Sequence, residues 1–188
     1  MKERVEQAIE KHEAAVRALS GESALLVEMA ERLVSCVRDG GRIYVLGNGG
    51  SAADAQHIAA ELVGKYRRDR RGFPAVALTT DTSLLTAVSN DYGFEAVFER
   101  QVEALVGAGD VVWVLSTSGN SENVLRAAER AKQAGAVVMG FTGGSGGKLK
   151  ERCDLCLVVG AQTSDRIQEV HQLAYHVICE MVEEALSS

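Results

Sequence analysis

Apolar positions in this chain of 188 residues follow a helical period at first and then fall into short continuous runs. Over residues 1–39 they recur at helical spacing; Leu25, Leu26, Met29, Leu33 and Val34 line one face of a second helix. Two amphipathic helices are predicted, broken near Ser20-Gly21-Glu22-Ser23, with Ser20 or Ser23 capping the second. Beyond residue 42, apolar runs alternate with helical segments. Strands are predicted over Ile43–Leu46, Ala75–Leu78, Val111–Leu115, Ala136–Phe141 and Leu155–Val159. Helices are predicted over Ser51–Gly64, Ser83–Asn90, Glu95–Val106, Ser121–Ala134 and Ser164–Ala185. Strands that are apolar throughout and separated by helices imply an α/β fold, with a five-stranded parallel sheet covered on both faces and right-handed crossovers. With no repeats and no long linker, the expectation is one domain over 1–188. Its helical pair (1–39) packs against an α/β core (40–188).

Composition narrows the class. Apolar residues make up 46% and charged residues 24%, the balance of a globular protein in water. A net charge of −6 argues against a nucleic-acid partner, which needs a basic face. The basic run Lys65-Tyr66-Arg67-Arg68-Asp69-Arg70-Arg71 reads first as a solvated loop, and second as a local field for an anion or another chain. No stretch approaches the ~20 apolar residues of a membrane span, and the charged helical start is not a signal peptide, so a cytoplasmic protein without a membrane partner is expected. Cys36, Cys153, Cys156 and Cys179 sit in apolar or helical patterns that suit reduced, buried thiols. Cys153-Asp154-Leu155-Cys156 has no second pair and overlaps a strand, which disfavours a zinc or redox role.

The chemistry concentrates in loops that follow strands. Gly47-Asn48-Gly49-Gly50-Ser51 joins a buried strand to a helix, where free N–H groups and the helix dipole favour an anion. The turn fits a dinucleotide fingerprint, but no acid ends the next strand at the required distance and Asp81 comes late. A sugar phosphate is the better ligand. Ser116-Thr117-Ser118-Gly119-Asn120-Ser121 again joins strand to helix; capping would use one of its hydroxyls, so the four together read as a phosphate cradle. Gly143-Gly144-Ser145-Gly146-Gly147-Lys148 fails the P-loop pattern at both ends and reads as a flexible surface loop. His57 and Glu61, spaced i,i+4 just past the first turn, suit a metal or proton transfer, or form an ordinary surface pair. The last helix carries Asp165, Arg166, Gln168, Glu169, His171, Gln172 and His176, either as ligands or as a solvated face. Spacing alone pairs His176 with Gln172, because Gln168 lies about 12 Å away along the axis.

Four strings together resemble a known family: G-N-G-G-S-A-A-D-A-Q-H-x-A-A-E-L from Gly47, N-D-Y-G-F from Asn90, S-T-S-G-N-S from Ser116, and S-D-R-I-Q-E-V-H…H from Ser164 to His176. They are similar to the phosphoheptose isomerases of the SIS (sugar isomerase) family. The resemblance spans nearly the whole chain. It implies a three-layer, flavodoxin-like α/β/α sandwich in a homotetramer, and isomerisation of D-sedoheptulose 7-phosphate to D-glycero-D-manno-heptose 7-phosphate at the start of activated-heptose synthesis. It implies one zinc per site on His57, Glu61, Gln168 and His176, which overrides the spacing preference for Gln172. Substrate contacts follow at Asn48, Gly49, Gly50, Glu61, Asn90, Asp91, Ser116, Thr117, Ser118, Ser121 and Gln168. Glu61 is the expected base and His176 its acid–base partner. The alternatives are a non-catalytic SIS protein that binds the replication initiator DnaA, a sugar-phosphate sensor, and an isomerase of another sugar phosphate. In the DnaA-binding relative, the residues matching Glu61 and His176 are replaced; here both stand.

Overall fold

A computed structural model describes residues 1–187. Helices α1 (Lys2–Leu19) and α2 (Ser23–Arg38) precede β1 (Ile43–Gly47), α3 (Gly50–Val63), β2 (Ala75–Ala77), α4 (Thr82–Tyr92) and α5 (Glu99–Leu105). Strand β3 (Val111–Ser116), α6 (Glu122–Gln133), β4 (Val137–Gly143), β5 (Leu155–Val159) and α7 (Ser164–Leu186) complete the order. All five predicted strands form, in one parallel sheet ordered β2-β1-β3-β4-β5.

The sheet is apolar on both sides because both sides are covered. Ile43, Val45, Trp113, Leu115 and Phe141 face α2, α3 and α7 in one core cluster. Tyr44, Leu46, Val112, Val114 and Val138 alternate with them and face α5 and α6 in a second. Burying each such side chain stabilises by about 1.5–3 kcal/mol, so the alternation fixes strand register as well as fold.

Three local expectations are corrected. Neither Ser20 nor Ser23 caps α2: the first turn carries no side-chain cap bond, and Ser23 Oγ donates instead to the Ser20 carbonyl at 2.7 Å. A 3₁₀ turn over Ser20–Glu22 lets the two helices follow each other without an extended cap residue. The helix predicted over Glu95–Val106 divides into a 3₁₀ turn at Phe94–Ala96 and α5. Cys153 and Cys156 are half-buried, unlike the buried Cys36 and Cys179; all four are free thiols.

The basic run is not a free loop. Its main chain wraps a buried carboxylate on α7. Glu183 accepts N–H bonds from Tyr66 (2.8 Å), Arg67 (2.7 Å) and Arg68 (2.9 Å), and a bond from Arg70 Nε (3.2 Å). Arg67 and Arg68 pair further with Glu180 and Glu184. The Arg70 guanidinium lies 3.9 Å over the Phe73 ring and donates to the carbonyls of Glu61, Leu62 and Gly64. It thereby satisfies the last carbonyls of α3, which a helix end leaves unpaired.

Burial alone would raise the Glu183 pKa, but the three N–H bonds and Arg70 hold it below its ordinary 4.5. A carboxylate lowered in the fold stabilises above its unfolded pKa, and that contribution is lost as pH falls through the folded value. Glu183→Gln is therefore expected to cost about 3 kcal/mol or more at neutral pH, because it leaves Arg70 buried without its partner. The difference from wild type should shrink below pH 4.5 as the wild-type carboxylate itself takes up a proton. Urea unfolding of both proteins across that range checks it.

Candidate active site

Strand order reverses between β1 and β3, and a parallel sheet opens a crevice at the carboxyl ends there. The two loops that sequence patterning singled out meet at this point. Asn48 and Asn123 exchange amide bonds: Asn48 Nδ2 donates to Asn123 Oδ1 at 2.8 Å, and Asn123 Nδ2 donates back at 2.9 Å. The pair ties the first loop to the start of α6. Gly49 takes φ +55°, and a Cβ on Gly50 would stand 2.5 Å from the Gln168 amide. Gln168, on the first turns of α7, thus lies directly against the start of α3.

In the second loop, Ser121 makes no side-chain cap bond to α6. Its Oγ instead accepts from Ser116 Oγ at 3.3 Å, and Thr117 Oγ1 donates to Ser164 Oγ at 3.3 Å. Ser118 is exposed. Ser116 is buried, while Thr117, Ser118 and Ser121 reach solvent beside the N–H groups that open α6.

The glycine loop after β4 is a correction: it is a buttress rather than a flexible surface segment. Leu149 N–H donates to the Gly119 carbonyl at 2.9 Å, and Lys148 N–H donates to Asn120 Oδ1 at 3.2 Å. A Cβ on Gly119 would lie 2.1 Å from the Gly146 carbonyl, so glycine is what lets the two loops touch. Below them His171 is fully buried, its Nε2–H donating to the Thr142 carbonyl at 3.1 Å. Desolvation lowers its pKa to about 4 and keeps the ring neutral. His171 is a structural member of α7 and not a ligand.

A second centre forms further along α3. His57 Nε2 and Glu61 Oε1 are 3.0 Å apart, and the ring centroids of His57 and His176 lie 5.0 Å apart, edge to face. One ligand atom from each of His57, Glu61 and His176 falls within 4.8 Å of the others. Zinc with bonds of about 2.1 Å needs its ligand atoms roughly 3.4 Å apart, and an N/N/O donor set is among those it takes. The trio fits such an ion with small side-chain shifts. Desolvation, with the His57 charge, lowers the His176 pKa, against the pull of Glu61; the neutral ring that a metal requires is favoured.

The predicted residues thus fall into groups. Asn48, Gly49, Gly50 and Gln168 meet at the crevice, with Ser116, Thr117, Ser118 and Ser121 on its other side. His57, Glu61 and His176 converge elsewhere, with Glu61 about 16 Å of helical rise from Gly50. Asn90 and Asp91 lie on the exposed face of α4, bonded to each other at 2.8 Å. Three contributors escaped pattern reading. Asn123 looks like an ordinary helix residue, Asp54 reads as helix surface, and Tyr175 reads as core. Yet Tyr175 Oη sits 2.9 Å from His57 Nδ1. Asp54 precedes His57 by three positions on α3, a same-face spacing that could have exposed it.

The sequence profile of the SIS domain family matches residues 7–143. The chain is 55% identical over 170 residues to a phosphoheptose isomerase of Roseiflexus, covering 90% of this chain and 86% of that protein. With one from Geobacter metallireducens it shares 48% over 187 residues, 99% of each. A solved phosphoheptose isomerase from Neisseria gonorrhoeae superposes with a TM-score of 0.93 at 42% identity, covering 97% of this chain and 98% of that one.

Replacing Asn123 by Ala leaves the Asn48 amide without its partner, which should cost about 1–3 kcal/mol in urea unfolding. Hydrogen exchange at the Gly49 and Gly50 amides should accelerate, while exchange in α7 beyond Val170 should stay as in the wild type.

Proposed function

We propose a mechanism from one premise: the chain belongs to the SIS domain family, and within it to the phosphoheptose isomerases. It is an aldose–ketose isomerase. It converts D-sedoheptulose 7-phosphate to D-glycero-D-manno-heptose 7-phosphate, a step of heptose biosynthesis. The observation that carries the chemical assignment is the convergence of His57, Glu61 and His176.

The reaction moves a proton between C1 and C2 of an open-chain sugar through an enediol. Glu61 is the base: it takes the C1 proton of the ketose and returns it at C2. His176, held neutral, serves the two oxygens as acid and base. The phosphate rests on the hydroxyls of Ser116, Thr117, Ser118 and Ser121 and on the N–H groups of Gly49, Gly50 and the start of α6. That cradle binds the dianion with dipoles and hydroxyls. Asn90 and Asp91 contact the sugar hydroxyls, and Asn48 holds its loop in register through Asn123.

His57, Glu61 and His176 would hold a zinc ion, which would supply polarisation of the carbonyl and hydroxyl oxygens of the sugar. Gln168 is implied as a further ligand and substrate contact. Its amide is directed onto Gly50, so we assign it to the substrate first and to the metal only after a rotamer change.

The enzyme acts as a homotetramer with sites at subunit contacts. Two features support this. The cradle and the trio are far apart along α3 within one chain, so a neighbour's surface brings the missing half. Val5, Ile9 and Val27 on α1 and α2, and Tyr92 and Phe94 beyond Asp91, expose apolar area that a single chain leaves in water. A cytoplasmic setting agrees with the free thiols, and no helix among the described residues is long and apolar enough to cross a membrane.

Glu61→Gln is expected to lower turnover of sedoheptulose 7-phosphate by at least 10²–10⁴-fold, the range of a positioned base, with the phosphate still bound. Direct detection of the aldoheptose phosphate checks it. A variant that keeps wild-type turnover contradicts the assignment of Glu61.

A further inference from the structure

Tyr175 sits between His57 and the half-buried carboxylate of Asp54, and this arrangement has a use beyond packing. The residue is fully buried on α7. Its Oη is 2.9 Å from His57 Nδ1, and the two rings meet edge to face at 5.4 Å. Asp54 faces the same hydroxyl from α3. One carboxylate oxygen of Asp54, Oδ2, is buried with no hydrogen-bond partner. A buried acceptor left unpaired costs about 1–3 kcal/mol, so its presence calls for an explanation.

The two nitrogens of His57 supply one. With Nε2–H turned to Glu61, Nδ1 is an acceptor and the Tyr175 hydroxyl must donate to it. Its only proton is then spent on the ring, and Asp54 Oδ2 is left without a donor. If Nε2 instead offers its lone pair to a cation, the ring proton moves to Nδ1. Nδ1–H then donates to the Tyr175 oxygen, and the freed hydroxyl proton turns to Asp54. In this second pattern Asp54 gains the donor it lacks, and Glu61 faces the cation in place of the ring N–H. We propose that Tyr175, backed by Asp54, is the positioning residue that fixes the ring and tautomer of His57 so that Nε2 faces Glu61 and His176 ready for a metal. Histidine ligands commonly donate their other N–H to an oxygen that sets the ring this way. Here the oxygen is a phenol that can both receive and pass on a proton. This inference rests on the metal reading of the trio.

Two substitutions test it with zinc itself. Tyr175→Phe keeps the ring and removes the hydroxyl; Asp54→Asn keeps the shape and removes the carboxylate. Zinc affinity is measured by competition with a chromophoric chelator, and the His57 tautomer by the ¹⁵N shifts of its imidazole in zinc-loaded protein. We expect Tyr175→Phe to bind zinc roughly 10–100-fold more weakly and Asp54→Asn to weaken it in the same direction, with wild-type melting behaviour. In the wild type Nδ1 should carry the proton, and in Tyr175→Phe that single tautomer should be lost. Unchanged affinity and tautomer in Tyr175→Phe, with zinc bound by the wild type, overturn the positioning role alone. A wild type that binds no zinc overturns the metal reading and this inference together.

Discussion

Helices α3 and α7 run side by side on one face of the sheet, and their register is fixed at both ends. At the start, the Gln168 side chain fills the space that the absent Cβ of Gly50 leaves. At the far end, Glu183 holds the chain leaving α3 through three main-chain N–H bonds, and Arg70 ties that carboxylate to the last carbonyls of α3. Between these points the two helices present His57 and Glu61 from one side and Tyr175 and His176 from the other. A shift of one residue would rotate either set by about 100° out of the groove. The corner where His57, Glu61 and His176 meet is therefore a consequence of helix register.

The electrostatic design separates two tasks. Arg67, Arg68 and Arg70 of the basic run pair with Glu180, Glu184 and Glu183 and so hold the chain leaving α3 to α7. The hydroxyls and main-chain N–H groups of the two loops lie instead at the carboxyl edge, where the strand order reverses. Neutral donors at one place and a carboxylate at another suit a substrate that carries a dianion at one end and reacts at the other.

Much of this was legible in the chain. The five strands show as continuous apolar runs because a doubly covered parallel sheet has no polar face. The hydroxyl loop stands out because four hydroxyls in six residues exceed what capping needs, and Ser121 indeed makes no side-chain cap bond. His57, Glu61 and His176 show as candidates, although their convergence rests on the family resemblance and then on geometry, since it joins two helices more than a hundred residues apart. Other parts were hidden for physical reasons. Glu183 near the chain end reads as solvated surface, and only the returning loop reveals its burial. Tyr175 reads as core because its ring is core; the hydroxyl is what matters. The glycine loop after β4 reads as mobile, because sequence does not show that Gly119 and Gly146 touch. The spacing preference for Gln172 over Gln168 concerns one helix, whereas Gln168 is placed by its contact with a second.

The central claim is that one ion is held jointly by α3 and α7. Anomalous diffraction at the zinc absorption edge, on crystals of the full chain grown with zinc, tests it directly. The account predicts a single strong peak within bonding distance, about 2.0–2.2 Å, of His57 Nε2, a Glu61 carboxylate oxygen and a His176 ring nitrogen. A corner without a peak, or a peak bonded only to residues of one helix, would contradict it.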